Sequence, residues 1–191
     1  VPIAPAWQQR IADHYTGCLD SHGHIDFDHI FSIEDGTSPK NSSDALLKLE
    51  ICSGAGEWAV AQAVHDTSSR YATLELRHDR VYSTFYRSVC AQTNNLCVIG
   101  GDAVSVLSRR IADRSVNNIF INHPEPPQQH SNQGSQSQGR HLLTTDFLST
   151  VASKLCTDGM LTIVTDNAWY ARFLMRQLGA APHPRALVNV D

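Results

Sequence analysis

Apolar and polar positions alternate along the chain in a pattern that predicts strands separated by helices from about residue 46 onward. Short apolar runs predict five strands, at residues 46–52, 71–76, 96–99, 116–121 and 160–165. Stretches with helical periodicity predict five helices, at residues 56–64, 80–91, 103–112, 146–155 and 168–178. Strands joined by helices of this length form βαβ units, so the pattern predicts a Rossmann-like α/β fold. Its sheet is mainly parallel, with helices on both faces.

The helix at 146–155 shows end signals, with Thr145 as a predicted N-cap and Gly159 just past its end. Residues 128–139 contain no charged side chain and predict a flexible loop. Residues 1–45 are less regular, with a short helix predicted at 7–15 and a loop at 35–44. We therefore expect an N-terminal extension, 1–45, packing on a core domain, 46–191.

Composition places the chain among ordinary globular domains, with 191 residues, 41% hydrophobic and 18% charged. No apolar run is long enough to predict a membrane span. The first residue is Val1 and no signal-peptide pattern follows, so we expect a fragment or a processed form. The net charge of −4 disfavours strong binding of nucleic acid by this chain alone. Binding to RNA would need a basic patch or a basic partner.

The five cysteines predict neither a disulfide framework nor a zinc knuckle, because their number is odd and no CxxC occurs. Three of them lie in apolar runs, which predicts small buried side chains in a reducing compartment.

The most informative segment is LEICSGAGEW, residues 49–58, where a buried strand runs through a small-residue turn into a helix. Gly54 and Gly56 let backbone approach a ligand closely, and the start of the helix offers free N–H groups. The pattern fits an E-x-G-x-G-x-G loop of the type that holds the methionine part of S-adenosylmethionine. A tight strand-to-helix turn without a ligand is the alternative.

Acidic residues follow the next two strands. Glu75 ends the second strand about 20 residues after the glycine turn, where an acid accepts hydrogen bonds from a ribose. A surface carboxylate beside Arg77 is the alternative. Asp102 follows the third strand, where an acid can hold an adenine amino group or simply cap the third helix.

Two further segments follow the fourth and fifth strands. His123 and Glu125 lie in a proline-stiffened run, NHPEPP, that can form a wall against a planar base or a plain rigid loop. Asp166 either caps the last helix or faces a pocket, where it would accept hydrogen bonds from the Watson–Crick edge of a guanine.

The segment SHGHIDFDH, residues 21–29, carries three histidines and two aspartates in a short space. No distant residues complete a metal-ligand set, and histidine-rich loops are often just solvated. We therefore predict no metal site.

Together these segments resemble the tRNA (guanine-N7)-methyltransferases, over residues 25–171. IDFDHIF at 25–31 is similar to the family's L-D-W-x-x-L-F, and LEICSGAGEW to its E-I-G-x-G-x-G loop. RHL at 140–142, FL at 147–148 and DGMLTIVTDNAWYA at 158–171 resemble its R-R-L…F-L…G-G-x-x-x-x-x-T-D-x-x-x-Y-A. The last motif is fairly specific to the family.

The resemblance implies methyl transfer from S-adenosylmethionine to N7 of a guanine in tRNA, and it assigns roles to residues. The cofactor-binding residues would be Glu50, Cys52, Gly54, Gly56, Glu75, Asp102, Ala103 and Asn122. The substrate-binding residues would be Arg140, Thr165, Asp166 and Tyr170, and the catalytic ones His123 and Glu125. The implied partners are tRNA and, as in eukaryotic members, a β-propeller subunit, in the nucleus or the cytoplasm.

Three departures from the family keep two alternatives open. The family's D-P-W-P-K stands here as His123 to Pro127, so its acidic residue is His123 and its lysine is Pro127. The loop that follows is neutral instead of basic, and the later T-x-F-E segment has no counterpart. Guanine N7 already carries a lone pair, so transfer mainly needs alignment. The alternatives are a cofactor-binding scaffold without transfer activity and a small-molecule methyltransferase.

Overall fold

The computed structural model describes residues 17–32, 45–127, 141–180 and 186–190. Six strands are present in these ranges: β1 Leu47–Ile51, β2 Arg70–Glu75, β3 Leu96–Gly100, β4 Val116–Asn122, β5 Leu155–Thr165 and β6 Ala186–Val190. The helices are α1 Phe27–Ser32, α2 Glu57–His65, α3 His78–Cys90, α4 Ala103–Arg110, α5 Thr145–Lys154 and α6 Ala168–Ala180. The five predicted strands and five predicted helices are all present, with ends shifted by a few residues.

The strands form one sheet in the order β3-β2-β1-β4-β5-β6, and every pair is parallel. Parallel strands place all their carboxyl ends at one edge of the sheet. The order reverses between β1 and β4, which makes a crevice beyond those two ends, the usual place for a ligand in open α/β sheets. The predicted Rossmann-like α/β fold is confirmed.

Helices lie on both faces because the βα crossovers of a parallel sheet are right-handed. α2 and α3 contact each other, as do α4 with α5 and α5 with α6. Between these layers the strands bury apolar side chains, including Ile51, Ile119, Ile121 and Ile163, each at 0% exposure. In β1 and β4 the apolar residues Leu49, Ile119 and Ile121 are buried, whereas Lys48 and the three asparagines of β4 are only partly buried.

Residues 17–32 pack on this core. The ring of Phe27 belongs to the buried cluster, and the Ile25 N–H donates to the Arg110 carbonyl at 2.7 Å. An ion pair joins Arg70 to Asp28. The predicted helix at 7–15 lies outside the described residues, and the division of the chain at residue 45 stays a prediction.

Two local predictions around α5 and β5 are wrong, and one strand was missed. The cap of α5 is Thr144, whose side chain accepts from the Phe147 N–H, because the chain is extended there and turns helical one residue earlier than expected. β5 begins at Leu155, so Gly159 lies within the strand instead of after a helix. β6, at the far edge of the sheet, was not predicted.

The predicted burial of three cysteines is also wrong. Cys52 and Cys90 are exposed, and Cys18, Cys97 and Cys156 are partly exposed. Cys52 lies in a turn after the buried Ile51, and Cys90 ends a helix next to Val89, which is itself exposed. Within the described ranges, no helix has both the length and the apolar character to cross a bilayer.

Candidate functional site

The turn after β1 has the conformation that its glycines predict. Gly54 and Gly56 have φ values of 59° and 81°, in the left-handed region that side chains disfavour. A Cβ added to Gly54 would meet nothing within 4 Å, so this part of the turn borders open space. At Gly56 the same atom would lie 2.6 Å from Thr84 Oγ1, so α3 packs directly against the turn.

Glu75 at the end of β2 is buried, at 6% exposure, so the alternative of a surface carboxylate is wrong. Its Oε2 accepts from the Gly54 N–H and its Oε1 from the Arg77 N–H, both at 2.9 Å. One carboxylate thus joins the turn after β1 to the start of α3. Each oxygen keeps a second lone pair for a ligand.

The Cys52 thiol shows that the three predicted acids converge on one place. Enclosure by neighbouring atoms, and next the carboxylates of Glu75 and Glu50, raise the pKa of Cys52 to about 11, with a further contribution from Asp102. The residue itself keeps solvent-accessible surface, so the thiol is not sealed off. The carboxylates of Glu75 and Glu50, and more weakly that of Asp102, therefore act on the same thiol, as expected for residues at neighbouring strand ends.

Asp102 performs the capping role that was one of its two predicted roles. Its Oδ1 accepts from the Ser105 N–H at 2.8 Å, and α4 begins with the buried Ala103. The residue is exposed, so its second carboxylate oxygen faces solvent at the same edge of the sheet. The preceding Gly101 N–H donates to the Glu75 carbonyl at 2.9 Å, which holds this turn against the end of β2.

Glu50 and Asn122 connect the ends of β1 and β4. Asn122 Nδ2 donates to Glu50 Oε1 at 2.8 Å. Glu50 Oε2 is buried without a hydrogen-bond partner, as is the Ser53 hydroxyl. Burial raises the pKa of Glu50 to about 7, although the Asn122 hydrogen bond acts in the opposite direction. An unsatisfied carboxylate oxygen beside the crevice is a site for a donor-bearing or cationic ligand.

The raised pKa of Glu50 predicts a pH-dependent fold. Between the unfolded value of 4.5 and the folded value of about 7, the folded state holds the proton more tightly. The free energy of unfolding should therefore decrease as pH rises through this window, by at most ~3 kcal/mol. Glu50→Gln should lose this component in urea denaturation at pH 5 and pH 8. Asp146→Asn, at an exposed carboxylate of α5, is the matched control. Superimposable pH profiles for the wild type and Glu50→Gln would show that the buried carboxyl does not act this way.

The ends of β4 and β5 lie side by side. The His123 N–H donates to the Val164 carbonyl at 2.8 Å, and His123 is exposed with φ 50°, a strained value for a side chain of this size. Glu125 is exposed beyond it, and Asp166 is exposed one residue after the buried Thr165. Exposed carboxylates thus follow both strands at the edge where the crevice opens.

Asp166 does not cap α6. The cap is Asn167, whose Oδ1 accepts from the N–H groups of Trp169 and Tyr170 at 3.1 and 3.0 Å. The Asn167 N–H in turn donates to Thr165 Oγ1 at 3.2 Å. The prediction missed Asn167 because two adjacent cap-forming residues give the same sequence signal. The carboxylate of Asp166 is therefore not needed to start the helix.

Tyr170 is fully buried at the start of α6 and forms a hydrogen bond with His141. The distance from Tyr170 Oη to His141 Nε2 is 2.6 Å. Burial, and next the nearby Cys52 thiol, raise the pKa of Tyr170, so this ring lies beside the turn after β1. Burial lowers the pKa of His141. Sequence reasoning missed His141, and Arg140 lies outside the described residues.

Two aspartate side chains hold the backbone of the histidine-rich segment in place. Asp20 Oδ1 accepts from the N–H groups of His22 and His24, and Asp26 Oδ1 accepts from that of His29. Over the ranges that the structure describes, no group of three or more His, Cys, Asp or Glu side chains is arranged to hold a metal ion.

Comparison with known proteins gives one family match and a set of curated relatives. A family model described as "Putative methyltransferase" matches residues 44–188. A tRNA (guanine-N(7)-)-methyltransferase of Chlamydia muridarum is 33% identical over 130 residues, which are 68% of this chain and 55% of that protein. One from Buchnera aphidicola is 28% identical over 134 residues, 70% of this chain and 54% of that protein. The chain spans about half the length of these relatives.

Among solved structures, precorrin-6y C5,15-methyltransferase of Geobacter metallireducens superposes with a TM-score of 0.53 at 12% identity. The superposition covers 71% of this chain and 63% of that chain. At this level of identity the match shows a shared fold, in agreement with the strand order.

Proposed function

We propose that this chain, which belongs to the methyltransferase family matched by residues 44–188, transfers the methyl group of S-adenosylmethionine to N7 of a guanine in tRNA. The curated relatives carry this activity in their names, which confirms the predicted family. The observation that supports the proposal most is the position of Glu50, Glu75 and Asp102 at the neighbouring ends of β1, β2 and β3, where Glu75 also accepts from the Gly54 N–H.

The residues at this edge fit the proposed cofactor. The unpartnered Glu50 Oε2 suits an ammonium group, which supplies both the positive charge and the hydrogen-bond donors that this oxygen lacks. Glu75 retains lone pairs for ribose hydroxyls. Asp102 can accept from an adenine amino group. The open space beside Gly54 leaves room for the ligand to lie against backbone.

The acceptor guanine would lie beyond the ends of β4 and β5. When bound, S-adenosylmethionine would supply an electrophilic methyl group for the lone pair of guanine N7. No proton has to be removed, so the protein would mainly align N7 with the methyl group and exclude water. Asp166 would accept from the Watson–Crick edge, while Thr165 and Tyr170 would shape the wall of the site. His123 and Glu125 would position the base from the β4 side.

The net charge of −4 disfavours binding to the phosphates of tRNA, so another component would have to supply basic surface. A β-propeller subunit that carries basic surface would supply it, in the nucleus or the cytoplasm, where tRNA is available. The core domain of residues 46–191 would hold both ligands, and residues 1–45 would pack against it.

The test is mass spectrometry of nucleosides from unmodified tRNA incubated with methyl-labelled S-adenosylmethionine. Labelled N7-methylguanosine is expected, and Asp166→Asn should reduce it at least tenfold while S-adenosylhomocysteine binding is unchanged. Asp146→Asn, at an exposed residue of α5, is the matched control. A labelled product other than N7-methylguanosine, or none, would contradict the proposed reaction.

A cofactor-binding scaffold is the second candidate, and the geometry after β4 is what favours it. The position matching the family's acid holds the strained, exposed His123, and no described residue supplies a lysine in place of Pro127. Retained S-adenosylhomocysteine binding without any labelled tRNA product would favour the scaffold. Methyl transfer that bulk tRNA does not inhibit would point instead to a small-molecule acceptor.

A further inference from the structure

The helix α3 turns its apolar residues away from its own sheet. Its buried residues are Thr84 and Ser88, at 0% and 7% exposure. Four of its large apolar residues are exposed by 57–68%: Tyr82, Phe85, Tyr86 and Val89, here called the α3 stripe. Their spacing of i, i+3, i+4 and i+7 places them in one row along the helix.

This arrangement is the reverse of what a surface helix of a monomer needs. Single exposed apolar residues are ordinary, but a row of four neighbouring large ones marks an interaction surface. Exposing three aromatic rings to water while burying two hydroxyl-bearing side chains does not stabilise a monomer. We therefore expect another surface to pack against the stripe.

The stripe lies on the side of α3 that faces the open edge of the sheet. Arg87, which pairs with Glu57 of α2, is two residues from both Phe85 and Val89. Residues two apart on a helix point to nearly opposite sides, so the stripe faces away from α2. Val81 contacts the position of Gly100 in β3, next to the stripe. No described strand pairs with the outer side of β3.

We propose that a second copy of this chain covers the α3 stripe, related by a two-fold axis perpendicular to the sheet. Such an axis sets α3 against α3 on one face and places the two β3 edges side by side and antiparallel. The stripe is apolar and uncharged, so it can meet its own copy without repulsion, as an isologous contact requires. The outward N–H and C=O groups of one β3 edge can pair with those of the other.

The available area supports a dimer only when both elements contribute. Three aromatic side chains and a valine, about 60% exposed, offer on the order of 400 Å² per copy. A stable interface needs roughly 800 Å² per partner. The edge of β3, whose residues Leu96, Cys97, Val98 and Ile99 are all partly exposed, provides the remaining surface. The contact therefore needs the stripe and the edge together, which fixes the geometry of the dimer.

Sedimentation velocity of the full chain over a range of micromolar concentrations tests this proposal, independently of the proposed function. The wild type should sediment as a dimer, and Phe85→Glu should weaken the dimer at least tenfold. Met175→Glu is the matched control, because Met175 is equally exposed, at 62%, on α6. Circular dichroism should show both variants folded. A wild type that stays monomeric at the highest concentration, or a Phe85→Glu dimer as strong as the control, would overturn the proposal, as would a stripe covered by another protein or by RNA.

Discussion

Replacing Glu75 with alanine is expected to weaken the binding of S-adenosylhomocysteine by at least tenfold in isothermal titration calorimetry. The carboxylate is the proposed acceptor for the ribose hydroxyls, and losing a hydrogen bond to a charged group costs about 1.5–3 kcal/mol. It also accepts from the Gly54 and Arg77 N–H groups, so its removal leaves the turn after β1 without its anchor. Both losses weaken the binding of S-adenosylhomocysteine.

Asp79→Ala is the matched control, because Asp79 is an exposed carboxylate at the start of α3 that pairs with Arg77. A melting curve for each variant separates loss of binding from loss of the fold. Unchanged affinity in a folded Glu75→Ala protein would mean that no ligand meets this carboxylate.

Gly56→Ala should lower the free energy of unfolding by about 2–4 kcal/mol, measured by urea denaturation. The residue has φ 81°, which strains any side chain, and the new methyl group would collide with Thr84, at 2.6 Å from its Oγ1. Thr84 is fully buried and is not the mobile end of a long side chain, so it has little room to move.

Gly54→Ala is the paired variant, because Gly54 has a similar backbone but open space around it. It should cost only about 1–2 kcal/mol of stability, the backbone contribution alone. Its methyl group would enter the proposed ligand space, so S-adenosylhomocysteine binding should fall sharply. Equal losses of stability in the two variants would contradict the packing of α3 under the turn.

The sequence predicted the parts of this molecule that depend on local pattern. Apolar runs and helical periodicity predicted five strands and five helices, and the small residues after β1 predicted the turn that leads into a helix. Residues at successive strand ends were expected to meet because a parallel sheet gathers those ends at one edge. The neighbouring ends of β1, β2 and β3, which carry Glu50, Glu75 and Asp102, follow from that rule.

What the sequence did not predict depends on contacts between distant residues. The hydrogen bond from Asn122 to Glu50 joins residues 72 positions apart, and that from His141 to Tyr170 joins residues 29 apart. Neither leaves a local signal. Cap positions failed where two candidates are adjacent, as at Thr144 and Thr145. The direction of the α3 stripe was equally hidden, because periodicity shows that a helix is amphipathic but not which face meets the sheet.

The most direct measurement of the central claim is a crystal structure of the chain grown with millimolar S-adenosylhomocysteine. The account predicts density for the ligand across the carboxyl ends of β1, β2 and β3, with its ammonium at Glu50, its ribose at Glu75 and its adenine near Asp102. An empty edge at saturating ligand, or a ligand bound elsewhere on the molecule, would contradict it.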